Sequence, residues 1–161
     1  MRCKRRSTRL PMDDLKLDRQ LCFKLYAASR QVVRAYKPML DGLQLTYPQY
    51  LVMLVLWEWD ESAPAQPTVK ALGERLLLDS GTLTPLLKRL QSAGLVERRR
   101  SAADEREMHL CLSEQGRALR RRVPMLKQQL LCEHGVDTRQ LEPLRSQLDA
   151  LSQRLGERLP G

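Results

Sequence analysis

Two sets of residues in this 161-residue chain have types and spacings suited to chemistry. The first is the four cysteines, Cys3, Cys22, Cys111 and Cys132. None stands in a CxxC pair, and His109 and His134 do not complete a ligand cluster, so neither a metal nor a cofactor is expected. In a reducing compartment such cysteines are usually inert, and a reactive thiol is the minority case. Cys22, next to Phe23 and close to Tyr26, is the candidate for a redox switch. Cys3 has no inferred role, and Cys111 reads as a bystander. The second set lies between Ser80 and Gly116, SGTLTPLLKRLQSAGLVERRRSAADEREMHLCLSEQG. Small and hydroxyl residues (Ser80, Gly81, Thr82, Thr84) are followed by Pro85, Lys88 and Arg89, then by Arg98, Arg99, Arg100 and Arg106. Hydroxyls and cations of this kind contact phosphates and base edges.

Bulk composition narrows the partners. The chain carries 28 Lys and Arg against 19 Asp and Glu, a net charge of +9, which fits a polyanion but does not separate DNA from RNA or an anionic membrane. It is 42% hydrophobic and only 4% aromatic, a leucine-rich balance that favours helices over a β-sandwich. The longest strongly apolar run, 50–57, falls far short of a membrane span. The stretch MRCKRRSTRLPMDD is basic with no apolar segment after it, so 1–13 is expected to be a flexible, solvated tail rather than a signal peptide. The expected compartment is the cytoplasm.

The elements that would position these residues follow from periodicity and punctuation. Leu15 to about Lys37 reads as one helix, with Leu21, Leu25, Ala28, Val32 and Tyr36 on a face and Pro38 and Gly42 as stops. Thr46 and Gln49 form a capping box for a helix that is apolar nearly all round, from Leu51 to Trp57. Residues 60–67 are a loop. Thr68 caps a short helix to Leu76, with Ala71, Leu72 and Leu76 inward, and Leu77, Leu78 and Asp79 form a turn anchored by Leu78. Ser80 to Gln91 is the next helix, with Leu83, Leu86, Leu87 and Leu90 inward. Pro85 implies a late start or a distorted first turn. Leu95–Arg99 and Met108–Leu112 are strands. Ser113 caps a helix running to His134 that Pro124 kinks or divides. After Gly135, Leu141, Leu144, Leu148, Leu151 and Leu155 make a narrow seam that calls for a partner.

Together, 68–90 fits a helix-turn-helix whose second helix approaches a major groove. An ordinary helical hairpin with a solvated basic face would read the same over that stretch alone. The basic hairpin that follows favours the first reading, since cations there suit a minor groove. Asp104, two residues before Arg106, suggests an ion pair that positions the hairpin. The fold class is therefore mainly α with a small β-wing, a winged helix-turn-helix.

The pattern DSGTLTPLLKRLQSAGLVERRR…DEREMHLCLSEQG resembles the MarR family of bacterial regulators, with Asp104, Arg106 and the Leu112–Gly116 segment at hallmark positions. The resemblance spans Leu15 to about Leu159. It implies a homodimer through the first and last helices, binding a pseudo-palindromic double-stranded DNA operator. LDRQLCFKLYAASRQVVRAYKPML and LTYPQYLVMLVLWE are similar to the organic hydroperoxide-sensing branch of that family. That similarity implies Cys22 as sensor, Tyr36 and Tyr47 as hydrogen-bond donors to its thiolate from the other subunit, and Cys132 as the resolving thiol. A thiolate attacks the O–O bond and becomes a sulfenic acid, which a second thiol converts to a disulfide. The expected organisation is a single domain over 14–161, with dimerisation segments 14–45 and 113–161 and a DNA-binding lobe 46–112. Three alternatives stand beside this reading. One is a repressor released by a small aromatic ligand. Another is a thiol peroxidase, disfavoured because no Thr and Arg arrangement surrounds Cys22 and the winged helix would be unexplained. The last is an architectural DNA protein of little sequence preference. The expectation is a regulator, not an enzyme.

Overall fold

A computed structural model describes residues 15–62, 64, 67–100 and 108–156. The chain divides into two units, one ending at Lys37 and one beginning at Pro38. In the first, a 3-10 turn over Leu17–Arg19 precedes α1, Leu21–Ala35. The helix therefore starts later than the periodicity from Leu15 implied. Gln20 occupies the N-cap without a side-chain hydrogen bond, and no stronger capping residue stands there to extend the helix. No residue of α1 is buried, and Leu21, Leu25 and Val32 are 58, 37 and 47% exposed.

In the second unit, Pro38 and Gly42 do not act as stops. They lie inside a further helix, α2, Lys37–Leu43, which buries Met39, Leu40 and Leu43. Proline at the second position costs nothing, because the first-turn N–H groups have no partner inside the helix. The chain turns instead at Gln44, with φ +57°. Thr46 then caps α3, Tyr47–Glu61, and the box is complete: Thr46 N donates to Gln49 Oε1 at 2.8 Å, and Gln49 N donates back to Thr46 Oγ1 at 3.5 Å. Tyr50, Val52, Met53, Val55, Leu56 and Trp57 are buried, whereas Leu54 faces out at 39%.

Thr68 caps α4, Val69–Leu76, through Ala71 N at 3.2 Å. Leu72 is fully buried, while Ala71, Leu76 and Leu78 are only half-buried. α5 spans Ser80–Ser92 and buries Leu83, Leu87 and Leu90 against the lobe. Gly94, at φ +69°, reverses the chain, a conformation glycine adopts without a Cβ clash. β1, Val96–Arg100, and β2, Met108–Leu112, pair antiparallel with Val96 opposite Leu112 and Arg100 opposite Met108. β1 thus begins one residue later than read. Val96, Leu110 and Leu112 close the core. The strand pair is tied to the start of α4 by a bridge between Thr68 and His109 and by Leu110 N donating to Pro67 O at 2.8 Å.

Ser113 caps α6, Glu114–Arg120, through Gly116 N at 2.9 Å. α7, Val123–Glu133, follows with Pro124 in its first turn, so the proline divides the helix in two. Gly135, at φ +61°, is the break. A 3-10 turn, Thr138–Leu141, leads into α8, Glu142–Gly156, which has no buried residue. Trp57 Nε1 donates to Gly116 O at 2.9 Å and so pins the base of α6 to α3. Arg117 reaches Asp60 at 2.8 Å and Arg120 reaches Glu61 at 2.5 Å. These exposed pairs fix direction more than stability.

Candidate nucleic-acid interface and thiol sites

α5 carries the first candidate surface. Its leucines face inward, which leaves Ser80, Gly81, Thr82, Thr84, Pro85, Lys88 and Arg89 exposed. The structure thus brings all seven onto the outer side of one rigid helix. The helix runs unbroken from Ser80 despite Pro85. Its start is fixed by Asp79, which the sequence had placed in the turn. Asp79 Oδ1 accepts from Thr82 N at 2.8 Å and Oδ2 from Thr82 Oγ1 at 2.9 Å. These bonds, the backbone one first, hold the Asp79 carboxyl below the usual aspartate range. A further hydroxyl is used locally, since Thr84 Oγ1 donates to Ser80 O at 2.7 Å. The entry to α5 is a left-handed Leu77, φ +55° and 89% exposed. Leucine at such a position gives no sequence signal.

The cations differ in availability. Lys88 and Arg89 have no carboxylate partner among the described residues. Arg99, in contrast, is held by Glu97 two residues away on the same strand, at 2.8 and 3.2 Å. The Glu97 hydrogen bond and charge push its guanidinium pKa up. Arg98 is half-buried, and its Nε is buried without a hydrogen-bond partner among the described residues. Arg100 is exposed. Asp104 and Arg106 at the tip lie outside the described residues, as does Cys3.

The thiols come next. Cys22 is the second residue of α1 and is exposed; Cys132 lies in the last turn of α7 and is exposed; Cys111 is half-buried on β2 opposite Glu97. All three are free thiols. One turn beyond Cys22, Tyr26 accepts a hydrogen bond from Arg30 Nη1 at 3.1 Å, with the guanidinium 5.5 Å from its ring centroid. Tyr36 closes α1 and Tyr47 opens α3, each half-buried. Among the described residues no helix is long and apolar enough to cross a membrane, and no group of His, Cys, Asp and Glu could hold a metal.

Comparison with known proteins places this architecture. A family model described as transcriptional regulator SarA/Rot matches residues 34–123. The organic hydroperoxide resistance transcriptional regulator of Bacillus subtilis is 46% identical over 146 residues, 88% of this chain and 96% of that protein. AbfR of Staphylococcus epidermidis, in its reduced, DNA-bound form, superposes with a TM-score of 0.73 at 32% identity, covering 90% of this chain and 97% of that one. Its disulfide form superposes with a TM-score of 0.59 at 33% identity, covering 90% and 93%. Those relatives are transcriptional regulators, and the chain has the helix-turn-helix and wing that they share. The chain belongs to the MarR family of winged-helix transcriptional regulators, in the branch that contains the organic hydroperoxide resistance regulator.

Proposed function

We propose that this protein is a sequence-specific transcriptional repressor that senses organic hydroperoxides through Cys22 and releases its operator when oxidised. The observation that carries this reading is the 46% identity, along 88% of the chain, with a regulator of organic hydroperoxide resistance. The exposed thiol at position 22 and the exposed outer side of α5 support it. The protein works in the cytoplasm as a homodimer through segments 14–45 and 113–161. Each subunit offers a DNA-binding lobe, 46–112, to one half of a pseudo-palindrome. Ser80, Gly81, Thr82, Thr84, Pro85, Lys88 and Arg89 enter the major groove. Arg99 and Arg106 contact the backbone or minor groove, with Asp104 setting the wing.

The Cys22 thiolate attacks a hydroperoxide oxygen. The S–O bond forms as the O–O bond breaks, and the leaving alkoxide takes a proton and departs as the alcohol. Tyr36 and Tyr47 of the dimer donate hydrogen bonds to the thiolate. The Cys132 thiol then attacks the sulfenic sulfur, forming the S–S bond and releasing water. A disulfide requires Cα atoms within about 7 Å, so any motion that brings them together re-spaces the two winged lobes and spoils their fit to the half-sites. Oxidation is stoichiometric, not a turnover, which makes the protein a sensor and not an enzyme.

The test is operator binding during titration with cumene hydroperoxide. The wild type lets go as about one equivalent per Cys22 is consumed. Cys22→Ser binds and holds on, and Cys132→Ser stops at the sulfenic acid or overoxidises. Tyr36→Phe and Tyr47→Phe oxidise more slowly. If Cys22→Ser still releases DNA on oxidant, the reading fails and release by a small aromatic ligand replaces it.

A further inference from the structure

The hydroxyl groups on α5 are not free rotors. Thr82 Oγ1 lies 2.9 Å from Asp79 Oδ2, and Asp79 Oδ1 already accepts from Thr82 N at 2.8 Å. An ionised carboxylate has no proton to give, so the Thr82 hydroxyl must donate to it. Thr84 Oγ1 lies 2.7 Å from Ser80 O. A carbonyl only accepts, so this hydroxyl also donates inward. Each threonine has a single hydroxyl proton, and on both that proton is turned back into the helix. Only oxygen lone pairs remain on the exposed side. Ser80, whose hydroxyl makes no hydrogen bond among the described residues, has no such polarity.

From this we infer that Thr82 and Thr84 present DNA with hydrogen-bond acceptors only, that Asp79 is the positioning residue that fixes this polarity at Thr82, and that the base edge each threonine contacts is an exocyclic amino group, adenine N6 or cytosine N4, and not the thymine or guanine of the same pair. The inference rests on the proposal that α5 reads the major groove. In that groove adenine and cytosine display an amino donor, whereas thymine O4 and guanine O6 and N7 display acceptors. A guanine or thymine edge would oppose lone pair to lone pair. To turn and donate outward, Thr82 would have to break a charge-assisted bond, roughly twice the strength of a neutral one. Thr84 is held by a neutral carbonyl and is the weaker discriminator. Asp79 is ionised near neutral pH as any exposed aspartate is, and the Thr82 amide and hydroxyl lower its pKa further. Gly81 leaves the cap room, since a Cβ there would stand 3.0 Å from Asp79 Oδ1.

The experiment uses the reduced full-length protein and the duplex that it selects from a randomised pool. N6-methyladenine or N4-methylcytosine is placed singly, so that a methyl replaces the groove-facing amino proton while base pairing is retained. In each half-site, methylation at one base pair should weaken wild-type binding by roughly 3- to 10-fold, the worth of one net hydrogen bond. Thr82→Val should lose that sensitivity. Valine matches threonine in size, so a mere clash with the methyl would persist in the variant. Replacing purine N7 by carbon at the same pair should change nothing. Asp79→Asn is the sharper arm. Asparagine still caps the helix, but its amide now donates to Thr82 Oγ1 and frees the hydroxyl proton to point outward. The preferred base at that pair should switch from adenine or cytosine to thymine or guanine. An unswitched preference in a folded Asp79→Asn protein overturns the inference, as does methylation sensitivity that survives in Thr82→Val. Lys88→Ala and Arg89→Ala separate the two failures. If they weaken binding, α5 reads DNA and only the polarity assignment is wrong. If they bind as wild type, the groove reading has failed with it.

Discussion

The leucines of α5 and of α8 recur at the same spacings of three and four, yet they end in different surroundings. Leu83, Leu87 and Leu90 are no more than 1% exposed, packed beneath α3 and α4. Leu144, Leu148 and Leu155 are 50, 36 and 58% exposed, and α8 buries no residue. Periodicity specifies a helix and its apolar face, but not whether the same chain supplies the cover. The winged lobe supplies its own. Among the described residues the terminal helix is left uncovered, and each partly exposed leucine forgoes a part of the ~1.5–3 kcal/mol that full burial gives. A second copy of the chain supplies that cover in the proposed dimer. One chain thus combines a lobe that covers its own leucines with a terminal helix whose leucines stay exposed among the described residues.

The largest expected effect tests this contrast. Leu87→Ala should cost about 2–5 kcal/mol, by lost transfer energy and a cavity, and should lower the melting temperature equally at every protein concentration. Leu148→Ala should act through association, so its penalty should fade as concentration rises. Equal, concentration-independent losses in both variants would mean that α8 is covered within its own chain. Gly116→Ala comes next. A Cβ at this position would run into the Leu95 carbonyl oxygen, which accepts from Ser113 N, while Gly116 O accepts from Trp57. Overpacking there should cost about 1–3 kcal/mol, seen in chemical denaturation. An unchanged midpoint would show that the wing base is not tightly seated against α6.

A surface effect follows in size. With Lys88, Arg89 and the wing arginines doubled in a dimer, operator affinity should fall with salt at a log–log slope of roughly −5. Lys88→Ala should reduce that slope by about 1–2. Arg99→Ala should change it less, because Glu97 already neutralises that guanidinium at 2.8 Å. Equal changes in both would mean that the Glu97 pair opens on DNA.

Much of the lobe was legible because its signals are local. Thr46, Thr68 and Ser113 each cap a helix three residues before the amide they satisfy, and Pro124 and Gly135 break the chain where their chemistry requires. The misreadings occur where a residue's usual habit yields to context. Pro38 suits a first turn as well as it suits a stop. Gln44 and Leu77 turn left-handed without being glycine or asparagine, so composition could not mark them. The Trp57–Gly116 bond joins residues 59 apart, and only tertiary packing reveals it. In the candidate site, the exposed side of α5 follows from its leucine spacing. The Asp79 cap was missed because Asp79 directly follows the apolar turn residues Leu77 and Leu78. The roles proposed for Cys22, Tyr36, Tyr47 and Cys132 came from resemblance, because residue spacing alone marks none of the four as chemical.

The smallest effect separates the lobe from the end by acid. Asp79 caps α5, and Asp137 caps the turn before α8. Both carboxyls sit below the usual aspartate range, for different reasons. Asp79 is held down by the Thr82 amide and hydroxyl, which are neutral donors, whereas Asp137 is held down first by the Arg139 side chain, at 3.0 and 3.2 Å, and then by its amide. A folded-state pKa below the unfolded value gives stability that is complete above the unfolded pKa and is lost as pH falls through the folded one. Both caps should therefore release only below about pH 4. Salt distinguishes them, because it screens the exposed Arg139 pair and leaves neutral hydrogen bonds nearly unchanged. Amide resonances of Thr82 and Arg139, followed through acid titrations in low and high salt, should show a fixed midpoint for Thr82 and a rising one for Arg139. A Thr82 midpoint that rises in step with Arg139 would mean that charge, and not the capping hydrogen bonds, holds Asp79 ionised, and the fixed polarity of the Thr82 hydroxyl would lose its support.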